Sequence, residues 1–444
     1  MNLHQLLRRR AADGNPVRVA LIGAGRFGTM FLSQLRTTPG LHAVGIADLN
    51  ADRAHDQLRR IGWTDADLAP DVDTALAHGT TVITTDARAL IEAPVDIVIE
   101  ATGNPETGID HALRTIAAGH HIVMVNVEAD ALAGPALAQR ARQAGVVYSL
   151  AYGDQPAMIW ELVDWARTCG FEVVCAGKGT KYLPEFLTLN PDTVWSAWAE
   201  FSEELTSSGQ LNPYMHTSFR DGTKAAIEMA AVANAAALRP AEDGLAFPPA
   251  NTGELATVCR PRSDGGTLPH SGTVEVVSSV DLEGNWLPNH IQEGVFVVVR
   301  APNDYTSGCF GEYLWHADDT HRYIAMYKPF HLIGMELGIT IAHVALNGVP
   351  TGAPEAFCAD VVAVAKTPLR SGSVLDGEGG FAVRGKLVPA TESVRLGALP
   401  IGLAHFPLIR DVAAGEVVTW DDVEVRADPQ VLQLREETTK LTRS

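Results

Sequence analysis

Cysteine is scarce in this chain. There are five in 444 residues, Cys169, Cys175, Cys259, Cys309 and Cys358; the number is odd and no two form a Cys-x-x-Cys pair. A disulfide framework or a cysteine zinc site is therefore not expected, and a reducing cytoplasm suits the chain. Positive charge is also short: 34 Lys plus Arg stand against 53 Asp plus Glu, a net charge of −19. A field of that sign repels phosphate backbones, so neither nucleic acid nor an anionic membrane is an expected partner. It leaves room for a small anionic substrate, because a pocket can be basic within an acidic protein. No apolar run approaches the roughly 18 residues of a membrane span. Residues 1–16, MNLHQLLRRRAADGNP, lack the apolar centre of a secretion signal and read as a short surface helix with a basic end. The sequences GxxxxGK(S/T), HExxH and GxSxG are absent, which leaves phosphate-loop, zinc-protease and serine-hydrolase chemistry without support.

What is present is a globular composition, 46% hydrophobic and 20% charged, over a length that suits two to four domains. From Val17 to about residue 152, continuous apolar strands alternate with helices: VRVALI, HAVGIAD, TTVITTD, VDIVIEATG, HIVMVN and VVYSLA. That pattern predicts an α/β fold, a Rossmann-type doubly wound parallel sheet covered on both faces. Directly after the first strand stands Gly23-Ala24-Gly25-Arg26-Phe27-Gly28, a G-x-G-x-x-G between strand and helix. Gly23 would make the tight turn, Gly25 would let the backbone approach a pyrophosphate, and Gly28 would let the helix pack on the strand. Asp48 ends the next strand and would accept hydrogen bonds from an adenosine ribose, which favours NAD over NADP. Arg53, five residues on, is placed to compensate that charge. Ala101, Thr102, Gly103 and Asn104 follow a later strand at the edge where ligands bind; they read equally as cofactor contacts and as a plain strand-to-helix turn with Thr102 or Asn104 capping.

Residues 153–350 predict a second, α+β domain for substrate binding and oligomerisation, with helices at 155–168 and 221–238 and strands near 171–179, 273–281 and 294–302. The apolar stretch 331–346 reads as a helix packing back on the first domain. Lys178 and Lys181 lie in a glycine turn and read equally as substrate groups and as solvated lysines. Asp221, Lys224 and Glu228 share one face of an alanine-rich helix; a charged stripe there implies a wet or ligand-filled space, or else an exposed Lys–Glu pair. Lys328 and His331 suit an anion at a helix start but more often cap, and His216 near Asn212 is a weaker candidate. His316, Asp318, Asp319 and His321 are dense enough for a metal, yet their loop spacing favours structural hydrogen bonding, so no metal site is assigned. Beyond a turn-rich linker, 351–430 reads as a small β-rich domain and 431–444 as a tail.

VRVALIGAGRFGTM, VDIVIEATGNP, SLAYGDQP, GKGTKYLPE and SFRDGTKAAIEMAAVANA together resemble homoserine-dehydrogenase-like oxidoreductases that carry a C-terminal SAF domain. That group includes deoxyxylulose phosphate reductoisomerase-like enzymes, which make methylerythritol phosphate. LPIGLAHFPLIRDVAAGEVVTWDDVEV is similar to the SAF end, a small β-clip domain. The resemblance implies Lys178, Lys181 and Lys224 as substrate groups, with Asp221 orienting a lysine. Two departures count against homoserine semialdehyde as substrate. Asp221 and Lys224 are three residues apart rather than four, and Val125-Asn126-Val127 stands where homoserine dehydrogenases have Ala-Asn-Lys. The expectation is a cytoplasmic, homo-oligomeric NAD(P)-dependent oxidoreductase moving hydride to or from a polar, phosphorylated or carboxylated, sugar-like compound. A deoxyxylulose phosphate reductoisomerase would use NADP and a divalent metal, for which no ligand set is evident. The alternative is a non-catalytic sensor that binds a dinucleotide and a small ligand.

Overall fold

The computed structural model describes residues 2–198, 201–207, 211–313 and 316–442. They form two compact units. The first comprises 1–158, 331–355 and 433–438; the second comprises 159–330, 356–432 and 439–444.

The first unit is built on seven parallel strands: β1 (Val17–Ile22), β2 (Leu41–Ala47), β3 (Leu68–Ala69), β4 (Thr81–Thr84), β5 (Ile97–Glu100), β6 (His121–Met124) and β7 (Tyr148–Leu150). Their spatial order is β3-β4-β2-β1-β5-β6-β7. This is the expected doubly wound sheet, and its strand order reverses between β1 and β5, where such folds open a ligand crevice. Strand side chains alternate between faces. Val19, Leu21, Ile97 and Ile99 share one face and close a core with Phe31 and Leu35 of the helix Arg26–Leu35. Leu337, Ile341 and Val344 join the same core, so the apolar segment after 331 does pack on this sheet.

That segment is not one helix over 331–346, however. It is a short helix, Gly338–Ala342, continued by a wider π turn, His343–Asn347. Gly334 explains the difference. It sits at φ +73°, and a Cβ there would lie 2.7 Å from the Phe27 carbonyl oxygen, so the chain crosses close to the first sheet's leading helix as a turn.

Asp130 lies fully buried in the helix Val127–Gln143. Its Oδ1 accepts the Tyr148 hydroxyl at 2.7 Å, while Oδ2 has no hydrogen-bond partner among the described residues. Burial pushes this carboxyl from 3.8 up to about 7, against the Tyr148 hydrogen bond, which pulls it down. A folded pKa above the unfolded one means that stability is full at low pH and falls as pH rises through both values. Over that window the loss is on the order of 4 kcal/mol. Asp130→Asn keeps the Tyr148 acceptor and removes the titration. Urea unfolding at about pH 5 and about pH 8 should therefore show the Asn variant gaining stability over wild type mainly at the higher pH. An equal difference at both would contradict this account.

In the second unit, β8 (Glu172–Thr180), β9 (Thr273–Ser278), β10 (Val295–Arg300) and β11 (Tyr323–Lys328) form a mixed sheet in the order β11-β10-β8-β9. β8 and β9 run parallel; the other pairs are antiparallel. β12 (Ala359–Ala365) and β13 (Val383–Pro389) make a separate antiparallel ribbon. The helix Thr223–Ala236 is buried except at Lys224 and packs against β9 and against both ribbon strands. Its alanines permit that two-sided approach, and Asn234 fastens it by accepting the amides of Cys358 and Ala359 at 2.7 and 2.9 Å.

These units group the chain differently from the three sequence stretches 1–152, 153–350 and 351–430. Residues 331–355 belong with the first sheet's core, and the ribbon belongs with the alanine-rich helix. The stretch expected as a tail is also ordered as a helix, Pro429–Thr439, which buries Val431, Leu434 and Thr438. Among the described residues no helix is long and apolar enough to cross a membrane.

Candidate functional site

The crevice of the first unit is shaped by glycine. Gly23 has φ +103°, and a Cβ on it would meet the Ala101 carbonyl oxygen at 2.5 Å. The ends of β1 and β5 therefore touch backbone to backbone. A Cβ on Gly28 would lie 2.4 Å from the Gly23 carbonyl oxygen, so the helix Arg26–Leu35 starts hard against the turn. Gly25 differs from both. It is the residue before that helix, and among the described residues nothing stands within 4 Å of where its Cβ would be. Open space over the first turn of a helix, with its amides unpaired within the helix, suits a diphosphate. Arg26 is exposed and Phe27 half-buried beside it. These residues fit a dinucleotide.

Asp48 lies at the next strand's end and is buried. Its Oδ2 accepts the Ala24 amide at 2.9 Å and its Oδ1 the Asn50 amide at 2.9 Å, and the Arg53 guanidinium reaches both oxygens at 3.0 and 2.9 Å. Burial alone would raise this carboxyl, but the two amides and Arg53 outweigh it and hold the group below the ordinary carboxylate range. Arg53 is thus already engaged as the compensating cation, and Leu49 between Asp48 and Asn50 is almost fully exposed.

At the other lip, the Thr102 amide and hydroxyl both donate to Glu100 Oε1, and His111 lies 3.4 Å from the same oxygen. Gly103 takes φ +76°. Asn104 caps the helix Pro105–Ala117 through the Thr107 amide at 2.9 Å. Asn126 caps the next helix and donates from Nδ2 to the Asn104 carbonyl at 2.8 Å, tying two crevice turns together. Glu100 escaped the sequence reading. Its one signal is an acid closing the otherwise apolar strand IVIE, and it is fully buried, with no hydrogen-bond partner for Oε2 among the described residues.

The second unit gathers charge around the alanine-rich helix. Lys178 on β8 and Glu228 on the helix form a buried ion pair. Glu228 therefore is not half of an exposed Lys224–Glu228 pair. Asp221 is not on this helix either: Gly222, at φ +85°, separates it, and Asp221 ends the preceding helix Pro213–Arg220. Its carboxylate accepts the Thr223 amide at 2.9 Å. The lysine that pairs with Asp221 is Lys366, 2.8 Å away and equally buried, whose Nζ also donates to the carbonyls of Leu189 and Gly380 at 2.7 Å. Burial pushes the Asp221 carboxyl up despite Lys366. Lys181 donates to the Ala197 carbonyl at 3.2 Å and lies over the Trp286 ring, and Lys224 is half-buried. Glu275 on β9 accepts the amides of Ala246 and Val276, and burial pushes it up to about 7.

The remaining candidates are structural. His216 sits in an aromatic cluster with Trp195, Trp198 and Phe219, its Nδ1 2.8 Å from the Asn212 carbonyl. Lys328 pairs with Glu161. Arg260 bridges Asp318 and Asp319, and Asp318 Oδ1 accepts the Tyr323 amide at 3.0 Å, so this acidic stretch is a hydrogen-bonded turn. Among the described residues, no three His, Cys, Asp or Glu side chains are grouped to hold a metal ion.

Residues 23–150 match the NAD-binding domain of homoserine dehydrogenase, and 153–337 match the catalytic domain of the oxidoreductase DRL. No curated protein matches the chain. Similar solved structures include a probable dehydrogenase from Thermotoga maritima (14% identity, 75% of this chain and 90% of that one, TM-score 0.36). Others are myo-inositol dehydrogenase from Lactobacillus casei with NAD(H) and myo-inositol (15%, 38% and 47%, 0.27) and biliverdin reductase from Synechocystis with biliverdin and NADP+ (18%, 40% and 52%, 0.27). Against most of these structures, including the first ones matched, the chain spans about half of their length. Scores this low carry no functional inference. What the matches do establish is a homoserine-dehydrogenase-type NAD-binding domain followed by an oxidoreductase catalytic domain.

Proposed function

We propose that the chain is an NAD(P)-dependent oxidoreductase acting on a polar, phosphorylated or carboxylated, sugar-like carbonyl or hydroxyl compound. The observation that carries this reading is the open cradle at Gly25, set before a helix at the strand-order reversal of an NAD-binding domain. A nicotinamide dinucleotide, when bound, supplies or accepts the hydride. Gly23, Gly25 and Gly28 hold its diphosphate, with Arg26 and Phe27 beside it and Thr102 and Gly103 at the opposite lip. Asp48 favours an unphosphorylated ribose and so NAD; Arg53 offers a cation to a 2′-phosphate, so NADP belongs in the same assay.

Reduction of a carbonyl needs a donor that meets the growing alkoxide. Lys178, Lys181 and Lys224 are the groups proposed to bind the substrate and polarise that oxygen, with Asp221 fixing the charge balance around them through Lys366. A deoxyxylulose phosphate reductoisomerase-like reaction is the named special case, and 351–430 as an SAF-like β-clip domain belongs to the same proposal, as does a cytoplasmic homo-oligomer.

The test is a screen of NADH and NADPH oxidation, followed at the reduced-nicotinamide absorbance, against sugar phosphates and keto acids, with Lys224→Ala run in parallel. Turnover with at least one compound and its loss in Lys224→Ala is expected. Full turnover in Lys224→Ala would remove that lysine from the site. A chain that binds the cofactor but turns over nothing would favour the sensor.

A further inference from the structure

Glu100 is a fully buried acid in the first unit that the glycine turn does not touch. It closes β5, paired with Ile22 of β1 on one side and Met124 of β6 on the other, so it stands at the strand ends that border the crevice. A carboxyl in that place needs donors. Two from Thr102 converge on Oε1, the amide at 3.1 Å and the hydroxyl, and His111 Nδ1 lies 3.4 Å from the same atom. The other oxygen faces the helix Pro105–Ala117. A Cβ on Gly108 of that helix would lie 3.1 Å from Glu100 Oε2 and 2.7 Å from Asn126 Nδ2. Glycine weakens a helix interior, and here its missing side chain leaves the room that the Glu100 carboxyl and the Asn126 amide fill.

Thr102 is the exposed end of this arrangement. Its amide nitrogen lies 3.2 Å from where a Cβ on Gly23 would be, so it sits against the first glycine of the turn. The polarity of its hydroxyl is fixed from behind. A backbone amide can only donate, so the oxygen that takes the Thr102 amide is an acceptor, and the hydroxyl spends its one hydrogen on that same oxygen. What remains on Thr102 Oγ1 is lone pairs. Towards a ligand it accepts from an N–H or O–H group and has no hydrogen to offer a phosphate oxygen. The lip at Gly25 has the opposite character, since the first turn of a helix presents amide donors. Asp48 stands at the end of β2, on the other side of β1 from Glu100, where the adenosine ribose is placed. The Thr102 lip is thereby left to the nicotinamide riboside half.

We propose that Glu100 is a positioning residue for the dinucleotide: by holding the Thr102 amide and taking the hydroxyl hydrogen, it makes Thr102 Oγ1 the acceptor for the nicotinamide carboxamide or for the hydroxyls of the adjoining ribose. This deepens the oxidoreductase reading and rests on it for the cofactor. It adds a residue behind the crevice and a direction in which the dinucleotide lies across it.

Calorimetry on the full chain, with NADH, ADP-ribose and ADP as probes, tests this in wild type, Thr102→Val, Thr102→Ser, Glu100→Ala and Glu100→Gln. Thr102→Val and Glu100→Ala should each weaken NADH binding roughly tenfold and leave ADP, which lacks the nicotinamide riboside half, unchanged. Thr102→Ser keeps the hydroxyl and Glu100→Gln keeps an acceptor behind it, so both should hold NADH to within roughly threefold of wild type. ADP-ribose sorts the two donors: weakened along with NADH, it assigns the ribose hydroxyls; unchanged like ADP, it assigns the carboxamide. A purely structural role would weaken NADH and ADP together. That result, or NADH binding unchanged in Thr102→Val, or a loss in Glu100→Gln equal to that in Glu100→Ala, overturns the proposal. Thr102 is exposed, so Thr102→Val decides the matter even where Glu100→Ala fails to fold. The two claims fail separately. If NADH and ADP bind wild type and the variants do not distinguish them, only the role of Glu100 falls; if neither binds wild type, the cofactor reading falls and the role of Glu100 with it.

Discussion

Gly25→Val should abolish binding of the nicotinamide dinucleotide while leaving the fold intact, and Gly28→Val should damage both. The two glycines stand three residues apart in one turn, so composition and charge are matched and only the space differs. At Gly25 the backbone is in an ordinary region, φ −69° and ψ −159°, and no atom of the described residues lies within 4 Å of the new Cβ. A valine there meets only the space that a diphosphate needs. The expected cost is at least roughly 100-fold in affinity, about 2.7 kcal/mol, with the thermal midpoint unchanged. At Gly28 the new Cβ would be 2.4 Å from a carbonyl oxygen and 3.1 Å from Leu21 Cδ2, neither of which is a free chain end. Overpacking of that kind costs about 1–3 kcal/mol or more of stability. Thermal unfolding and NADH titration on both variants check the contrast. Equal loss of stability at the two positions would mean that the turn is only a packing feature.

Lys178→Met should weaken the second unit by about 3–5 kcal/mol, because Glu228 would be left charged and unpaired in a buried place. The double change Lys178→Met with Glu228→Leu should recover most of that stability, since apolar side chains of similar volume replace a buried ion pair at little net cost. Turnover should not recover. The comparison separates two roles that a single alanine substitution confounds. If Lys178 serves only the fold, stability and activity return together in the double variant; if it touches substrate, stability returns and activity stays lost. Denaturant unfolding and turnover on the same preparations give both readings.

Much of the first unit could be read from its residues because each strand is a continuous apolar run and the turn after β1 has three glycines with separate duties. Asp48 was legible for the same local reason. The second unit resisted because its charges are paired over long distances. Lys178 meets Glu228 fifty residues on, and Asp221 meets Lys366, which stands beyond the end of the matched catalytic domain. Helical spacing placed Asp221, Lys224 and Glu228 on one face, but a single left-handed glycine, Gly222, takes Asp221 off that helix. The helix expected over 331–346 failed at Gly334, whose close approach to Phe27 is a tertiary fact.

The central claim is that the turn Gly23–Gly28 binds a nicotinamide dinucleotide. The direct measurement is a fluorescence titration of the full chain with NADH and with NADPH, with ADP-ribose as competitor. Saturable binding of at least one in the micromolar range, roughly −8 kcal/mol, displaced by ADP-ribose and lost in Gly25→Val, is the result expected. Failure of both nucleotides to saturate, or binding that survives Gly25→Val unchanged, would contradict it.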